Sequence, residues 1–362
     1  MEKKKIVIIG GGAAGISAAI FLMREGFSVT VIEHTDAPLK KLLLTGNGRC
    51  NFTNTDVNVS HYHGDVEIAK KVLECFSVDD CLDFLESIGV EPLEMHYSFD
   101  KRGYFYPSTN SSKTVFDALM VAFNTLGGTL VLNTTPLSID INDHVLRTDN
   151  GDFSFDKLIF ACGSNAYPKT GSDSSIYKML MSLGVDFKTF LPALTAVKSD
   201  DERLKDLKGI RALCSVFVQD NDGYKVFKAE DGEVQFNEHY VSGIPVMQLS
   251  RYASKFKKEG HNTELLIRIH KWTNKEPDCG VRIGETLHLN VTGTAGFDKC
   301  QACSGGVTIN SIDENTLSLR NNPDIYFAGE MINVDGDCGG YNLHFAFASA
   351  YRAALSIKND KN

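Results

Sequence analysis

The sequence lacks the long apolar runs and the excess of basic residues that mark two large classes of protein. No stretch of its 362 residues reaches the roughly 18 apolar positions that a membrane-spanning helix needs. Its net charge is −9, from 37 Lys and Arg against 46 Asp and Glu, whereas a nucleic-acid-binding domain usually carries a basic face. We therefore expect no membrane insertion and no nucleic-acid partner, although net charge leaves a local basic patch open.

A secretion signal and a paired cysteine framework are also missing. Three lysines precede the apolar run 6–9, but glycines end that run before it reaches the length of a signal-peptide core. The 9 cysteines are scattered and odd in number. These features predict a reduced, cytoplasmic protein.

A β-branched run near the start of the chain leads straight into a glycine-rich turn. The run 6–9 predicts a strand buried on both faces, and Gly10, Gly12 and Gly15 follow it in a GxGxxG pattern. Gly10 allows the tight turn, and Gly12 lets the backbone approach a pyrophosphate. Gly15 lets the next helix pack closely on the strand.

The residues after this turn complete a dinucleotide-binding pattern. A helix is predicted over 13–24, and its free amides at Ala13 and Ala14 can bind phosphate. A second strand, 27–32, ends at Glu33. A carboxylate about 20 residues past the glycines accepts a hydrogen bond from an adenosine ribose hydroxyl and disfavours the extra phosphate of NADP.

The C-terminal part of the sequence favours FAD over NAD as the dinucleotide. The stretch 324–330 predicts a short strand ending in Gly329 and Glu330, as in many FAD domains of the glutathione-reductase type, whose acidic residue binds the ribityl chain. A glycine-rich stretch and a predicted helix follow. The positive end of that helix can stabilise the charge that a flavin gains on reduction. The predicted flavin contacts at this helix start are Gly340, Asn342 and Leu343.

Several motifs resemble those of the HI-0933-like family of BaiN/YhiN-type flavoproteins. The segment 40–54, KKLLLTGNGRCNFTN, is similar to the family signature KKLLxSGxGRCNxTN. Segments 161–172 and 328–346 resemble two further family motifs, and 236–250 is a looser match. The resemblance covers residues from about 5 to 352. It implies bound FAD and NAD(P)H-linked reduction, with C=C bonds of steroid (bile-acid) intermediates as the characterised chemistry.

Further cofactor contacts are expected within these motifs. Arg49 follows two glycines and can reach phosphate or a flavin oxygen, although a surface position is the alternative. Asn51 is as well suited to capping its own loop as to binding the cofactor. Pro136 lies where such folds often use a backbone N–H to read adenine, so only its carbonyl can serve. The remaining expected contacts are Lys41, Ala161 and Gly163.

The sequence departs from the family pattern in its substrate half. Family members usually have about 400 residues and a small helical subdomain, whereas 255–294 here is mostly typical of strand and turn. That subdomain is therefore expected to be reduced or missing. No second GxGxxG follows a strand, so NAD(P)H is expected to visit the flavin transiently.

The predicted fold is α/β, with a Rossmann-like FAD-binding domain of the glutathione-reductase type. This domain is discontinuous, at 1–190 and 297–362, and the insert 191–296 is a mostly β substrate domain. Helices are expected at 66–89, as a pair, and at 113–126. The oligomeric state does not follow from the sequence.

Candidates for the proton donor are Tyr167 and Tyr341, although for each of them a packing role is the favoured alternative. For Cys50, Cys338 and His344, packing is favoured over chemistry. No metal site is predicted. The CxxC pair Cys300 and Cys303 has no second pair to complete a zinc site, and a metal role for His61 and His63 is disfavoured. The role of the CxxC pair stays open.

The first functional hypothesis is an FAD-dependent oxidoreductase that reduces an activated C=C bond in a small hydrophobic substrate. A flavin-binding redox sensor or scaffold without turnover is the alternative, motivated by the missing nicotinamide domain. A hydroxylase that uses oxygen shares the same N-terminal fold.

Overall fold

A computed structural model describes residues 4–97, 100–173, 175–222, 225–229 and 231–360 of the chain. The chain divides into two compact units. Unit 1 comprises 1–165, 169–189 and 305–362, and unit 2 comprises 166–168 and 190–304. The sequence prediction assigned FAD to 1–190 with 297–362 and the substrate to 191–296. These functional assignments stay predictions.

Helices occur in both units. They are α1 (Ala13–Arg24), α2 (Val66–Leu73), α3 (Val78–Ser87), α4 (Ser112–Thr125), α5 (Ile176–Ser182), α6 (Arg203–Asp206), α7 (Ile244–Lys258) and α8 (Tyr341–Asn359). Among the described residues, no helix is both long enough and apolar enough to cross a membrane.

Strands make up much of both units. Those up to residue 193 are β1 (Lys5–Ile9), β2 (Ser28–Ile32), β3 (Thr53–Asn54), β4 (Tyr62–Gly64), β5 (Pro92–Tyr97), β6 (Asp100–Pro107), β7 (Thr129–Val131), β8 (Pro136–Asp140), β9 (Val145–Thr148), β10 (Gly151–Ser154), β11 (Lys157–Phe160) and β12 (Phe187–Ala193). The later ones are β13 (Val197–Lys198), β14 (Arg211–Asp220), β15 (Lys225–Lys228), β16 (Gly232–Phe236), β17 (Tyr240–Ser242), β18 (Thr263–Trp272), β19 (Thr286–Asn290), β20 (Gly293–Thr294), β21 (Ala302–Val307), β22 (Ser318–Leu319), β23 (Asn322–Phe327) and β24 (Val334–Gly336).

Unit 1 is built on a six-stranded sheet in the order β22-β23-β11-β1-β2-β7. All neighbouring strands are parallel except β22 and β23. Val7, Ile8 and Ile9 are buried, as a strand covered on both faces requires. The predicted Rossmann-like α/β fold is thus confirmed, and the helices expected at 66–89 and 113–126 are α2, α3 and α4.

Unit 2 is mainly an eight-stranded sheet, with the order β19-β18-β14-β16-β17-β13-β20 and β15 paired to β14. The helix α7 packs on this sheet, and its buried Val246 and Leu249 share one core with Val216, Val234 and Phe236. The sequence analysis did not predict α7, although Pro245 stands in its first turn, where proline is favoured. Every residue of 259–304 is described, and this stretch contains no α-helix, in agreement with a reduced helical subdomain.

The packing of the core of unit 2 predicts how much stability is lost when a core side chain is truncated. Phe236 is fully buried, so Phe236→Ala should lower the free energy of unfolding by about 3–5 kcal/mol, through lost burial and the cavity left behind. The control Val226→Ala changes a side chain on β15 of the same sheet that is 56% exposed, and it should have little effect. Urea-unfolding midpoints measure both. Equal midpoints for the two variants would contradict this account of the core.

Candidate functional site

Three parallel strands, β1, β11 and β23, end at the same edge of the six-stranded sheet. The amide of Ala161 donates to the carbonyl of Ile9 at 2.8 Å, and the amide of Ala328 donates to that of Phe160 at 2.9 Å. The chain continues from β1 through α1 to β2 on one side, whereas β11 lies on the other side. Ligands bind α/β sheets at such a switch point, beyond the carboxyl ends of the strands.

The glycine turn at this edge has the shape that a pyrophosphate requires. Gly10 has a φ of 106°, and a Cβ there would lie 2.5 Å from the Ala161 carbonyl oxygen. A Cβ on Gly15 would overlap the carbonyl oxygen of Gly10, so α1 packs directly on the turn. Gly12 faces open space, since a Cβ there would have no atom within 4 Å. Helix α1 begins at Ala13 with no side-chain cap and no acidic residue in its first turn.

Glu33 is held firmly beside this turn. Its Oε2 accepts from the amide of Gly11 and its Oε1 from that of Thr35, each at 2.8 Å. Burial by itself raises the pKa of Glu33, but hydrogen bonds from His34, Thr35 and Gly11 outweigh it and leave the pKa below its usual value. The predicted ribose-binding carboxylate is therefore ionised and fixed in place.

Pro136, predicted at the adenine, belongs to the same neighbourhood. It begins β8, two residues after Thr134, whose amide donates to the Glu33 carbonyl at 3.1 Å. Gly163 follows Ala161 at the end of β11, with a φ of 73° and open space where a Cβ would stand. Both predicted contacts thus lie on segments that border the glycine turn or Glu33.

The acidic residue after β23 also reaches the start of α1. Gly329 has a φ of 72°, and a Cβ there would lie 2.7 Å from the Cβ of Ala14. The next residue, Glu330, forms an ion pair with Lys41. These two predicted cofactor contacts, 289 residues apart in sequence, therefore meet in the fold.

A second glycine-rich loop leads into α8 and contacts the segment that carries Asn51. Gly340 has a φ of 94°, and a Cβ there would overlap the side-chain oxygen of Asn51. Asn51 is 8% exposed, and neither of its amide atoms has a hydrogen-bond partner among the described residues. A buried amide without a partner indicates a site for a polar ligand.

The other residues predicted at this helix start hold the loop or pack. The Asn342 side chain accepts from the amide of Gly336 at 2.9 Å and donates to the Gly336 carbonyl at 3.0 Å. Leu343 is half-buried against the core. Only their backbones at the head of α8 are thus suited to a cofactor.

One face of β6 contacts both the segment that carries Arg49 and the glycine-rich loop before α8. The sequence analysis did not predict this face. The guanidinium of Arg49 lies over the ring of Tyr106, 4.9 Å from its centroid. A Cβ on Gly339 would lie 2.7 Å from the ring of Tyr104, and Arg102 donates to the Tyr341 hydroxyl at 3.1 Å. Arg102, Tyr104 and Tyr106 alternate along the strand, a period of two that could have identified this face.

Comparison with known proteins places the chain in a family. The family described as "HI0933-like protein Rossmann domain" matches residues 4–356. The chain belongs to this family of FAD-dependent oxidoreductases. The resemblance noted in the sequence is therefore confirmed.

Individual relatives carry two different names. A protein from Clostridium scindens named 3-dehydro-bile acid delta(4,6)-reductase is 30% identical, over 96% of this chain and 98% of the relative. A ribosomal RNA dihydrouridine synthase from Escherichia coli is 26% identical, over 99% of this chain and 98% of the relative. The solved 3-ketosteroid delta1-dehydrogenase of Sterolibacterium denitrificans shares the fold, with a TM-score of 0.59 at 11% identity and full coverage of both chains.

The residues of this HI0933-like chain fit an FAD. Two helices, α1 and α8, begin at glycines without side-chain caps or acidic residues in their first turns, which suits anionic groups. The open space at Gly12 leaves room for a pyrophosphate, and the unpartnered amide of Asn51 suits a polar ring edge. Together with Glu33, these groups can hold the dinucleotide along its length.

The two predicted proton donors lie in different units. Tyr341, in unit 1, is fully buried, and its hydroxyl accepts from Arg102 and lies 3.4 Å from the carbonyl of Asp56. Burial raises the pKa of Tyr341 to about 12. These contacts favour a packing role. Tyr167, in unit 2, is half-buried, with a φ of 54° and an amide that donates to the Phe297 carbonyl at 3.0 Å.

All 9 cysteines lie within the described residues as free thiols, and five of them are buried. Cys50 is fully buried, and burial raises the pKa of its thiol to about 12. In unit 2, the sulfurs of Cys300 and Cys303 lie 3.9 Å apart, and both residues are buried. No group of three or more metal-ligating side chains occurs among the residues that the structure describes.

His344, one turn into α8, has no exposed surface. Its Nδ1 lies 2.9 Å from the Thr53 hydroxyl oxygen, and its Nε2 lies 3.3 Å from the Phe76 carbonyl oxygen. A carbonyl only accepts, so Nε2 carries the proton and Nδ1 accepts from Thr53. Burial lowers the pKa of His344 to about 4, which keeps the ring neutral.

Two glycines of the turn should respond differently to the same change. Gly12→Ala places a methyl group in open space at ordinary backbone angles, with φ −77°, so the apoprotein should keep its stability while FAD binds at least about tenfold more weakly. Gly15→Ala should instead destabilise the fold itself, by about 1–3 kcal/mol, because the methyl group overlaps Gly10. Thermal unfolding of the apoprotein and FAD titration separate the two effects. Equal apoprotein stabilities would contradict the close contact at Gly15.

The neutral His344 predicts a sensitivity to acid. Its pKa of about 4 in the folded protein lies below the usual 6.5, so the unfolded chain binds the proton more tightly between these values. The stability that this group contributes is present above pH 6.5 and is lost as the pH falls towards 4. Urea unfolding between pH 7.5 and 4.5 should therefore show a smaller loss of stability for His344→Gln than for the natural protein. If the two proteins lost stability equally as the pH fell, the assignment of His344 as a neutral, buried group would be contradicted.

Proposed function

We propose that the protein reduces a C=C bond conjugated with a carbonyl group in a small, hydrophobic, steroid-like substrate. The observation that carries the proposal is the nearly full-length similarity to the bile-acid reductase, on a chain whose glycine turn, Glu33 and Asn51 fit FAD. NADH or NADPH is the proposed electron donor. The net reaction consumes one NAD(P)H and one proton for each C=C bond.

The names of the two relatives support this type of bond. A 3-dehydro bile acid with a delta-4 double bond has an alkene conjugated with its 3-oxo group. Dihydrouridine arises from uridine, whose ring C=C bond is also conjugated with a carbonyl. Both alkenes are electron-poor, so they accept hydride at the carbon remote from the carbonyl and a proton at the nearer carbon.

Several described residues suit this reaction. Bound FAD supplies the hydride. The uncapped head of α8 and the guanidinium of Arg102 place positive charge beside the second glycine loop, where it can stabilise negative charge. Tyr167 is the better candidate for the proton donor, because the hydroxyl of Tyr341 is buried and bound by Arg102.

A nucleic-acid substrate is the second candidate, because the Escherichia coli relative acts on ribosomal RNA by its name and aligns over 99% of this chain. Phosphate contacts dominate the affinity of proteins for RNA. The net charge of −9 and the lower identity of 26%, against 30% for the bile-acid reductase, favour the small substrate.

Anaerobic reduction tests the proposal. We expect NADH or NADPH to bleach the visible band of the bound flavin, and a steroidal dienone to restore it with stoichiometric loss of one double bond by mass spectrometry. The Gly12→Ala variant, which should bind FAD at least about tenfold more weakly, is assayed without added FAD as the control for activity that does not need flavin.

Other outcomes separate the alternatives. Bleaching with neither nucleotide would remove the nicotinamide-linked reaction. Reoxidation by an unmodified ribosomal RNA fragment, with a mass gain of two hydrogens in the RNA, would favour the second candidate. A bound flavin that reacts slowly, with no turnover of either the steroidal dienone or the RNA fragment, would favour a redox sensor. Hydroxylation of the substrate under air would favour an oxygen-dependent hydroxylase.

A further inference from the structure

We propose that His344 is a positioning residue for the flavin. Its imidazole acts through the hydroxyl of Thr53 and fixes the segment 51–53 against the head of α8. The inference rests on the proposed function, since it assumes that FAD occupies this site. His344 itself is buried and is not suggested to touch the cofactor.

The first step is the set of contacts that His344 makes. The imidazole joins three parts of unit 1: it lies on α8, accepts from Thr53 at the start of β3, and donates to the carbonyl of Phe76 before α3. The ring of Phe76 also stands edge-on to it, 5.8 Å away. A single side chain thus ties the last helix to two segments near the start of the chain.

The second step is that the hydrogen bond between Thr53 and His344 lies close to the side-chain amide of Asn51. Thr53 follows Asn51 by two residues, and a Cβ on Gly340 would lie 2.8 Å from the amide nitrogen of Thr53. The amide of His344 donates to the Gly340 carbonyl at 2.9 Å. Any shift of Thr53 relative to α8 therefore moves the Asn51 amide relative to the Gly340 backbone. Binding sites tolerate shifts of only about 0.5 Å.

The third step is the use of a polar side chain in an apolar setting. The site is completely buried and bordered by Phe76, so a leucine would fill it with less loss of hydration. A neutral imidazole gives directional bonds on both sides, which apolar packing does not provide. The geometry therefore points to placement of the Thr53 segment rather than to stability alone.

The experiment uses Thr53→Val, His344→Leu, the double variant and His344→Gln. FAD affinity is measured by fluorescence titration, the flavin midpoint potential by dye equilibration, and apoprotein stability by thermal unfolding. We expect each single variant to weaken FAD binding about tenfold and to shift the potential. The double variant should bind FAD no more weakly than the weaker-binding single variant, because both substitutions remove the same hydrogen bond between Thr53 and His344. His344→Gln, which can donate and accept, should recover most of the affinity.

The matched control is Thr263→Val in unit 2. Thr263 is 1% exposed and donates to the carbonyl of His261 at 3.2 Å, so the same chemical change should lower the unfolding temperature but leave FAD affinity and potential unchanged. An unchanged potential, additive losses, or affinities that simply follow unfolding temperature in all variants would overturn the inference. If the unaltered protein binds no FAD, the proposed function fails and this inference fails with it.

Discussion

The site depends on the backbone amides at the start of two helices, which no side chain caps among the described residues. The first amides of an α-helix have no carbonyl within the helix, and α1 and α8 both begin at glycines with no side chain to cap them. Gly10 and Gly15 press the first helix onto the sheet edge, while Gly340 gives the second helix contact with Asn51. Since buried polar groups need partners, this arrangement favours an anionic ligand between the helix heads and explains why glycines recur there.

The sequence predicted the parts of this site that are contiguous along the chain. The turn from β1 into α1, with Glu33 closing β2, is encoded within about 30 residues, as is usual for such units, so residue spacing alone could predict it. The head of α8 was predictable for the same reason. In both cases a glycine pattern, a strand and a helix follow each other without interruption.

The contacts that join distant segments could not be predicted in this way. Lys41 meets Glu330, and Thr53 meets His344, across 289 and 291 residues, because the parallel sheet brings the two ends of the chain to one edge. Residue spacing carries no information about such pairs. Helix α7 was missed for another reason: it overlaps the segment 236–250, which resembles a family motif and lies among strand-like runs, so the local composition favoured strand.

The predicted cofactor contacts and the second apolar core lie in different units. Every predicted cofactor contact belongs to unit 1, whose amides, Glu33 and Asn51 suit one dinucleotide. Unit 2 contains no described α-helix after α7 and has its own apolar core, so it can change in length or shape without disturbing the glycine turn. The positions predicted to contact the dinucleotide therefore lie in unit 1, whereas unit 2 is constrained by its own apolar core.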